Sequence, residues 1–173
     1  MATGVPVERA APRLASVAGS VLALAGLVAT AGVIHVVAAV QHVAEDWWLG
    51  VFFVLVGAGQ LLAGWRIYRW PEDRRLLSLA AVGGVVVALL WAFSRTTGIP
   101  FGPEAGKVSA VGVADTIATL QELAFAALVV ALVRRPEPGV ERLAWLNGGL
   151  GVRLTPAILS ASLFIAAIGG HEH

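Results

Sequence analysis

Cysteine is absent from the 173 residues, methionine occurs only at Met1 and lysine only at Lys107. The first two absences remove disulfides, thiol nucleophiles, iron–sulfur ligation and the soft sulfur donors that select Cu(I). Any metal would have to be held by nitrogen and oxygen. Charge is scarce as well: 13% of residues are Asp, Glu, Lys or Arg, against roughly 25% in soluble domains. The formal net charge of +1 has no basic block behind it, so nothing points to nucleic acid as a partner. What fills the chain instead is apolar: 58% hydrophobic residues and a mean hydropathy of +0.82. That balance argues against a soluble enzyme and makes the lipid bilayer the first partner to consider. With about 20 apolar residues needed per crossing, the composition allows about five spans and leaves little for a second domain.

The apolar stretches can be read directly. They cover about 14–40, 47–65, 76–94, 108–133 and 154–170, which predicts an all-α, polytopic helix bundle forming one membrane domain over 1–173. The first four are long enough for a helix to cross about 30 Å of hydrocarbon at about 1.5 Å per residue. The fifth is short and spans only with little tilt or a thinned membrane, although Thr155-Pro156 suits its start. The stretch before it, 141–153, carries Arg142 and Arg153 around Trp145 and reads as interfacial.

Orientation follows from the cations. Arg9, Arg13, Arg66, Arg69, Arg74, Arg75, Arg134, Arg135, Arg142 and Arg153 would fall on one side, and only Arg95 and Lys107 on the other. By the positive-inside rule the N-terminus is then cytoplasmic, and the loop between the first two spans faces out. Trp47 and Trp48 at one end of the second span, with Trp65, Tyr68 and Trp70 at the other, fit two aromatic belts. A cleaved signal peptide is the competing reading of the N-terminus, with Ala29-Thr30-Ala31 as a cleavage-like run. The apolar stretch continues to Val40, about twice the 7–15 residues of a signal core, which favours an uncleaved helix.

Against this apolar background, ionisable groups inside a span mark functional sites, because each costs about 2.5–3.5 kcal/mol at mid-helix on insertion scales. The chain places His35 in the first span, Gln60 in the second, and Asp115 and Glu122 in the fourth. Asp115, Thr119 and Glu122 recur at i, i+4 and i+7 and so share one face. Counted from the outer ends, His35 and Asp115 lie about 10 Å deep, and Gln60 and Glu122 share a level near mid-membrane. The expectation is a polar ladder: His42, Glu45 and Asp46 at the mouth, His35 with Asp115 below, and Glu122 with Gln60 at the bottom. His35, Asp115, Glu122, Gln60 and Arg95 would form an ion or proton pathway. His35, His42, Asp115 and Glu122 are the candidate metal ligands, suited to Zn, Mn or Fe(II). The two histidines are two helical turns apart, about 10.5 Å, and do not chelate as a pair by themselves. The plainer alternative is a set of structural interhelical contacts worth about 0.6–2 kcal/mol each. Glu45, Asp46 and Glu104 taken singly read as solvated loop charges. Faces bearing small residues, with Ala31, Gly32, Ala38 and Ala39 on the first helix, Gly57, Gln60 and Gly64 on the second and Gly84, Ala88, Trp91 and Arg95 on the third, predict close helix packing.

The loop 94–106 carries three glycines and two prolines and reads as a fixed irregular segment, with Ile99 and Phe101 expected to fold back as a lid. Arg95 beside it can reach a carboxylate below or an anion above, or snorkel to the interface. The run SRTTGIPFGPEAGKVSAVGVADTIATLQE, with HVVAAVQHVAEDWWLGVFFVLVGAGQLLAGW before it, resembles a group of small multi-span membrane proteins typical of actinobacteria. The similarity covers about 32–122. It implies a bacterial inner-membrane location, and the group supplies no catalytic residues.

Three functions remain open. One is an outward-facing site that binds or conducts a proton or a divalent metal ion. Another is a non-catalytic accessory subunit, in a homo-oligomer or a larger membrane complex. The third, an enzyme acting on a lipid or quinone with Asp115 or His35 as acid or base, has no paired nucleophile and base in its support. A bis-histidine haem lacks a second intramembrane histidine on another helix. The terminal His171-Glu172-His173 resembles a small metal-binding cluster and is read as a polar end.

Overall fold

A computed structural model describes residues 10–44, 46–100, 102 and 105–134. The described part is all-helical: α1 (Ala10–His42), α2 (Trp47–Arg69), α3 (Arg74–Thr96) and α4 (Val113–Val133). All four are long and apolar enough to cross a membrane. A helix of 23 residues, as α2 and α3 are, rises about 35 Å, a little more than the hydrocarbon thickness. The expected fifth span at 154–170, the interfacial stretch 141–153 and the terminal His171-Glu172-His173 lie outside the described residues. So do Glu45, Phe101 and Glu104. The fourth span begins at Val113 rather than near 108.

The chain reverses between α1 and α2 and between α2 and α3 by short capped turns. Asp46 caps α2 by accepting from the Trp48 amide (3.0 Å), and its own amide donates to the carbonyl of His42 (2.8 Å). Asp73 caps α3 by accepting from the amides of Arg75 and Leu76 (2.9 and 3.1 Å). A carboxylate at such a position satisfies orphan amides and complements the helix dipole. Asp46 is therefore not the solvated loop charge expected of it; its cap role keeps it buried.

Backbone packing joins α1 to α2. Gly50, Gly57 and Gly64 repeat every seven residues along α2 and are all buried. A Cβ on Gly57 would lie 2.8 Å from the Gly32 carbonyl oxygen, one on Gly32 would lie 2.9 Å from that of Gly57, and one on Gly64 would lie 2.9 Å from that of Ala25. The seven-residue period keeps a single face in register along an antiparallel partner, and the missing side chains let the two backbones touch. Helix α4 packs against both α1 and α3, whereas α2 and α3 touch only sparsely. The bundle thus consists of two helical hairpins joined mainly through α1 and α4.

Its interior changes character along its length. Toward the Arg69 end it is apolar, with Leu24, Val28, Ile67, Leu77, Ala81, Phe125 and Val129 in one cluster. Toward the His42 end the buried apolar cluster shrinks to Ile34 and Ala118, and polar side chains take its place. Outward, α2 and α3 present Val54, Leu55, Leu62, Leu79, Val82, Val86 and Leu89, all exposed. An apolar exterior over a partly polar interior is the distribution expected of helices surrounded by lipid.

The loop after α3 is fixed by glycine. Gly98 adopts φ +74°, and a Cβ there would lie 2.5 Å from the carbonyl carbon of Gly106. The Gly106 amide donates to the Ile99 carbonyl (2.9 Å) and the Ser109 amide to that of Ser94 (3.0 Å), which ties the segment to the end of α3. Residues 105–113 are exposed. The loop is irregular and fixed, as expected; its described part is tied to the end of α3, Ile99 is half-buried, and Phe101, the other residue of the expected lid, lies outside the described residues.

Candidate functional site

His35, Gln60 and Glu122 meet in the buried interior between α1, α2 and α4. His35 Nδ1 lies 2.8 Å from the carbonyl oxygen of Ala31 and 2.9 Å from Gln60 Oε1. A carbonyl oxygen only accepts, so Nδ1 carries the hydrogen and donates to both. That decides the Gln60 amide as well: its oxygen faces the imidazole, and its Nε2 donates to Glu122 Oε1 at 2.5 Å. In the neutral ring Nε2 is then left with a free lone pair, and it lies 4.0 Å from Glu122 Oε1. The second carboxyl oxygen, Oε2, is buried without a hydrogen-bond partner. Both ionisable residues are deeply placed, His35 at 6% and Glu122 at 4% exposure.

Local packing explains how a glutamate fits there. A Cβ on Gly84 of α3 would lie 3.3 Å from Glu122 Cβ and 3.6 Å from its Cγ, so the bare glycine surface lets the carboxylate stem pass across α3 toward α2. On the other side, Gly32 and Gly57 bring α1 close enough to α2 for His35 to reach Gln60. The short Nδ1 contact to Ala31 runs along the helix itself, four residues back.

Asp115 belongs to a different cluster. Its Oδ2 accepts from Arg95 Nη2 and from Trp91 Nε1 (2.8 Å for the latter), while Oδ1 accepts from the Thr116 amide at 3.0 Å. Arg95 also donates to Ser94 Oγ (2.8 Å) and lies against the Trp91 ring, its Cζ 5.8 Å from the centroid. These contacts close the end of the α3–α4 hairpin, with the carboxylate placed at the N-terminal turn of α4 where the helix dipole favours it. Thr119, between Asp115 and Glu122 on the same face, donates to the Asp115 carbonyl (2.9 Å).

The rungs of the expected ladder therefore resolve differently. Gln60 and Glu122 share a level and a hydrogen bond. His35 joins them rather than pairing with Asp115, because Asp115 is engaged by Arg95 and Trp91. His42 stacks on Phe53, its ring centroid 5.3 Å away, and His35 stacks on the same phenyl ring at 5.8 Å; since the two histidines stand about 10.5 Å apart along α1, the phenyl ring lies between them. The four candidate metal ligands are not gathered: His42 is separated from His35 by Phe53, and Asp115 is held by a cation. Among the described residues no group of three or more His, Asp or Glu side chains converges.

Sequence reasoning did not find Phe53 or the Ala31 carbonyl, and it placed Trp91 on one face with Arg95 without giving its indole a partner. That partner was within reach, since Trp91 lies four residues before Arg95 on one face and a buried indole N–H requires an acceptor. Phe53 carried no signal, being one apolar residue among many in α2.

Comparison with family models, curated proteins and solved structures finds no match to this chain. The functional reading rests on the residues and their geometry.

Proposed function

We propose that the chain is a multi-pass protein of a bacterial inner membrane whose His35–Gln60–Glu122 site accepts and passes a proton. The distribution of arginines supports a cytoplasmic N-terminus. The apolar run 154–170 would add a fifth span. The resemblance to small actinobacterial membrane proteins, over about 32–122, belongs to the same reading.

The observation that carries it is the free Nε2 lone pair of His35 facing a Glu122 carboxyl whose second oxygen has no partner. A gap of 4.0 Å is too long for a direct hydrogen bond, but a small rotation of the carboxyl closes it. The proton can then reside on Nε2 or on the carboxyl, while Nδ1–H stays committed to Ala31 and Gln60. Gln60 is neutral and holds both ionisable partners in place without exchanging a proton itself. A divalent cation would find two protein donors here, one fewer than the three of a catalytic zinc site, so the proton is the better fit to this donor set.

The test is proton movement into liposomes containing the purified chain and a trapped pH dye, driven by an imposed membrane potential. Wild type is expected to acidify the lumen, and Glu122→Gln, which keeps the acceptor for Gln60, is expected to lose that flux. Equal flux in the two would remove the proposal. Elemental analysis of the same samples tests the cation reading, with a metal signal sensitive to His35→Ala favouring it over the proton.

A further inference from the structure

Two polar columns lead from the His42 end of the bundle to the site. Along α4 the groups are Asp115, Thr119 and Glu122; along α1 they are His42 and His35, with Phe53 of α2 between the two rings. The α4 column is closed by an ion pair and two further hydrogen bonds to the Asp115 carboxylate. Opening it means separating a carboxylate from a guanidinium in a partly buried place, which is costly. The α1 column is closed by a hydrocarbon ring. Phe53 lies 5.3 Å from His42 and 5.8 Å from His35, centroid to centroid, at interplanar angles of 21° and 27°. Its ring therefore fills the two-turn interval between the histidines. Nothing polar anchors a phenyl group, and beyond the two histidines it makes an edge-on ring contact with Phe52 at 5.4 Å. Rotation about two side-chain bonds is enough to clear the interval, at the cost of packing alone.

We infer that Phe53 is an aromatic gate between the His42 mouth and the His35–Gln60–Glu122 site. With the ring closed, His42 meets the outer phase and His35 is sealed from it. With the ring swung aside, water connects the imidazole of His42 to the free Nε2 of His35. A proton passes by this route, and the constriction selects against hydrated metal cations. The gate rests on the proton reading for its purpose, but its existence is measured independently.

The probe is diethyl pyrocarbonate, which carbethoxylates a free imidazole nitrogen, applied to the full chain in lipid nanodiscs with the products located by peptide mass spectrometry. In wild type, His42 is expected to react quickly and His35 much more slowly, although its Nε2 is chemically free. Phe53→Ala is expected to raise the His35 rate by about tenfold with the His42 rate little changed, equivalent to a gate held closed by about 1.4 kcal/mol. Phe53→Leu should fall between, and Phe53→Trp should stay closed. The proposal is overturned if His35 reacts as fast as His42 in wild type, or if its rate is the same in wild type, Phe53→Leu and Phe53→Ala. Because Phe53→Leu is a mild change, a failure of the alanine variant to fold leaves that comparison standing. Loss of the proton function with an intact rate difference would leave the gate in place and remove only the species assigned to it.

Discussion

The carbonyl oxygen of Ala31 accepts from Nδ1 of His35, one turn later on the same helix, and so decides which nitrogen of the imidazole is free. From that contact the orientation of Gln60 and the bond from Gln60 to Glu122 follow without further choice. Nitrogen-15 NMR of labelled protein should report a hydrogen on Nδ1 and a bare Nε2 when the ring is neutral. The opposite tautomer would break the sequence of donors on which the site depends.

Removing the bridge should be felt by both partners. Gln60→Leu leaves Glu122 Oε1 without its donor and His35 with Ala31 alone. We expect a loss of stability of about 1–3 kcal/mol, the usual cost of orphaning a buried polar group. Glu122→Gln preserves the acceptor and should cost clearly less. Unfolding in mixed micelles measures the two, and an equal cost for both would argue that the bond is not formed.

Glycines that look alike in the sequence should behave oppositely. Gly57→Ala drives a methyl group to 2.8 Å from the Gly32 carbonyl oxygen, where the neighbour is backbone and cannot yield. A penalty of about 1–3 kcal/mol is expected from such overpacking. At Gly59, two residues on, an added Cβ would meet nothing within 4 Å, so Gly59→Ala should be neutral or gain up to about 1 kcal/mol in helix propensity. Similar effects at the two positions would contradict the close α1–α2 contact.

Asp115 and Arg95 should behave as one unit. A double-mutant cycle with Asp115→Asn and Arg95→Met is expected to show a coupling of about 0.5–3 kcal/mol, the range for residues in direct contact. Additive effects would instead mean that the two act separately. Since the Glu122 carboxyl is bonded to Gln60 and not to either of these residues, proton flux should survive Asp115→Asn better than Glu122→Gln.

Orientation can be read by chemistry, because the chain has no cysteine of its own. Ala44→Cys and Glu72→Cys place single thiols at opposite ends of α2, both at exposed positions. In intact cells a membrane-impermeant maleimide is expected to label Ala44→Cys and to reach Glu72→Cys only after permeabilisation. The reverse pattern would invert the topology.

Length and hydropathy were enough to locate the four described helices, since about 20 apolar residues in a row have few other uses and a lipid-exposed backbone must satisfy itself internally. Helical periodicity likewise placed Glu122 on the face of Asp115 and at the depth of Gln60. These are properties of one helix at a time, or of distances along parallel axes. Pairing between helices is different in kind. Whether His35 meets Asp115 or Glu122 depends on the rotation of α1 against α4, which is set where Gly32 meets Gly57 and where Gly84 yields to Glu122. The α1–α2 packing carries Phe53 between the two histidines, and the α3–α4 packing leaves Asp115 to Arg95 and Trp91. Spacing along the chain specified which polar groups lie within the bilayer; the close approach of backbones, a sum of contacts among all four helices, decided which of them face one another.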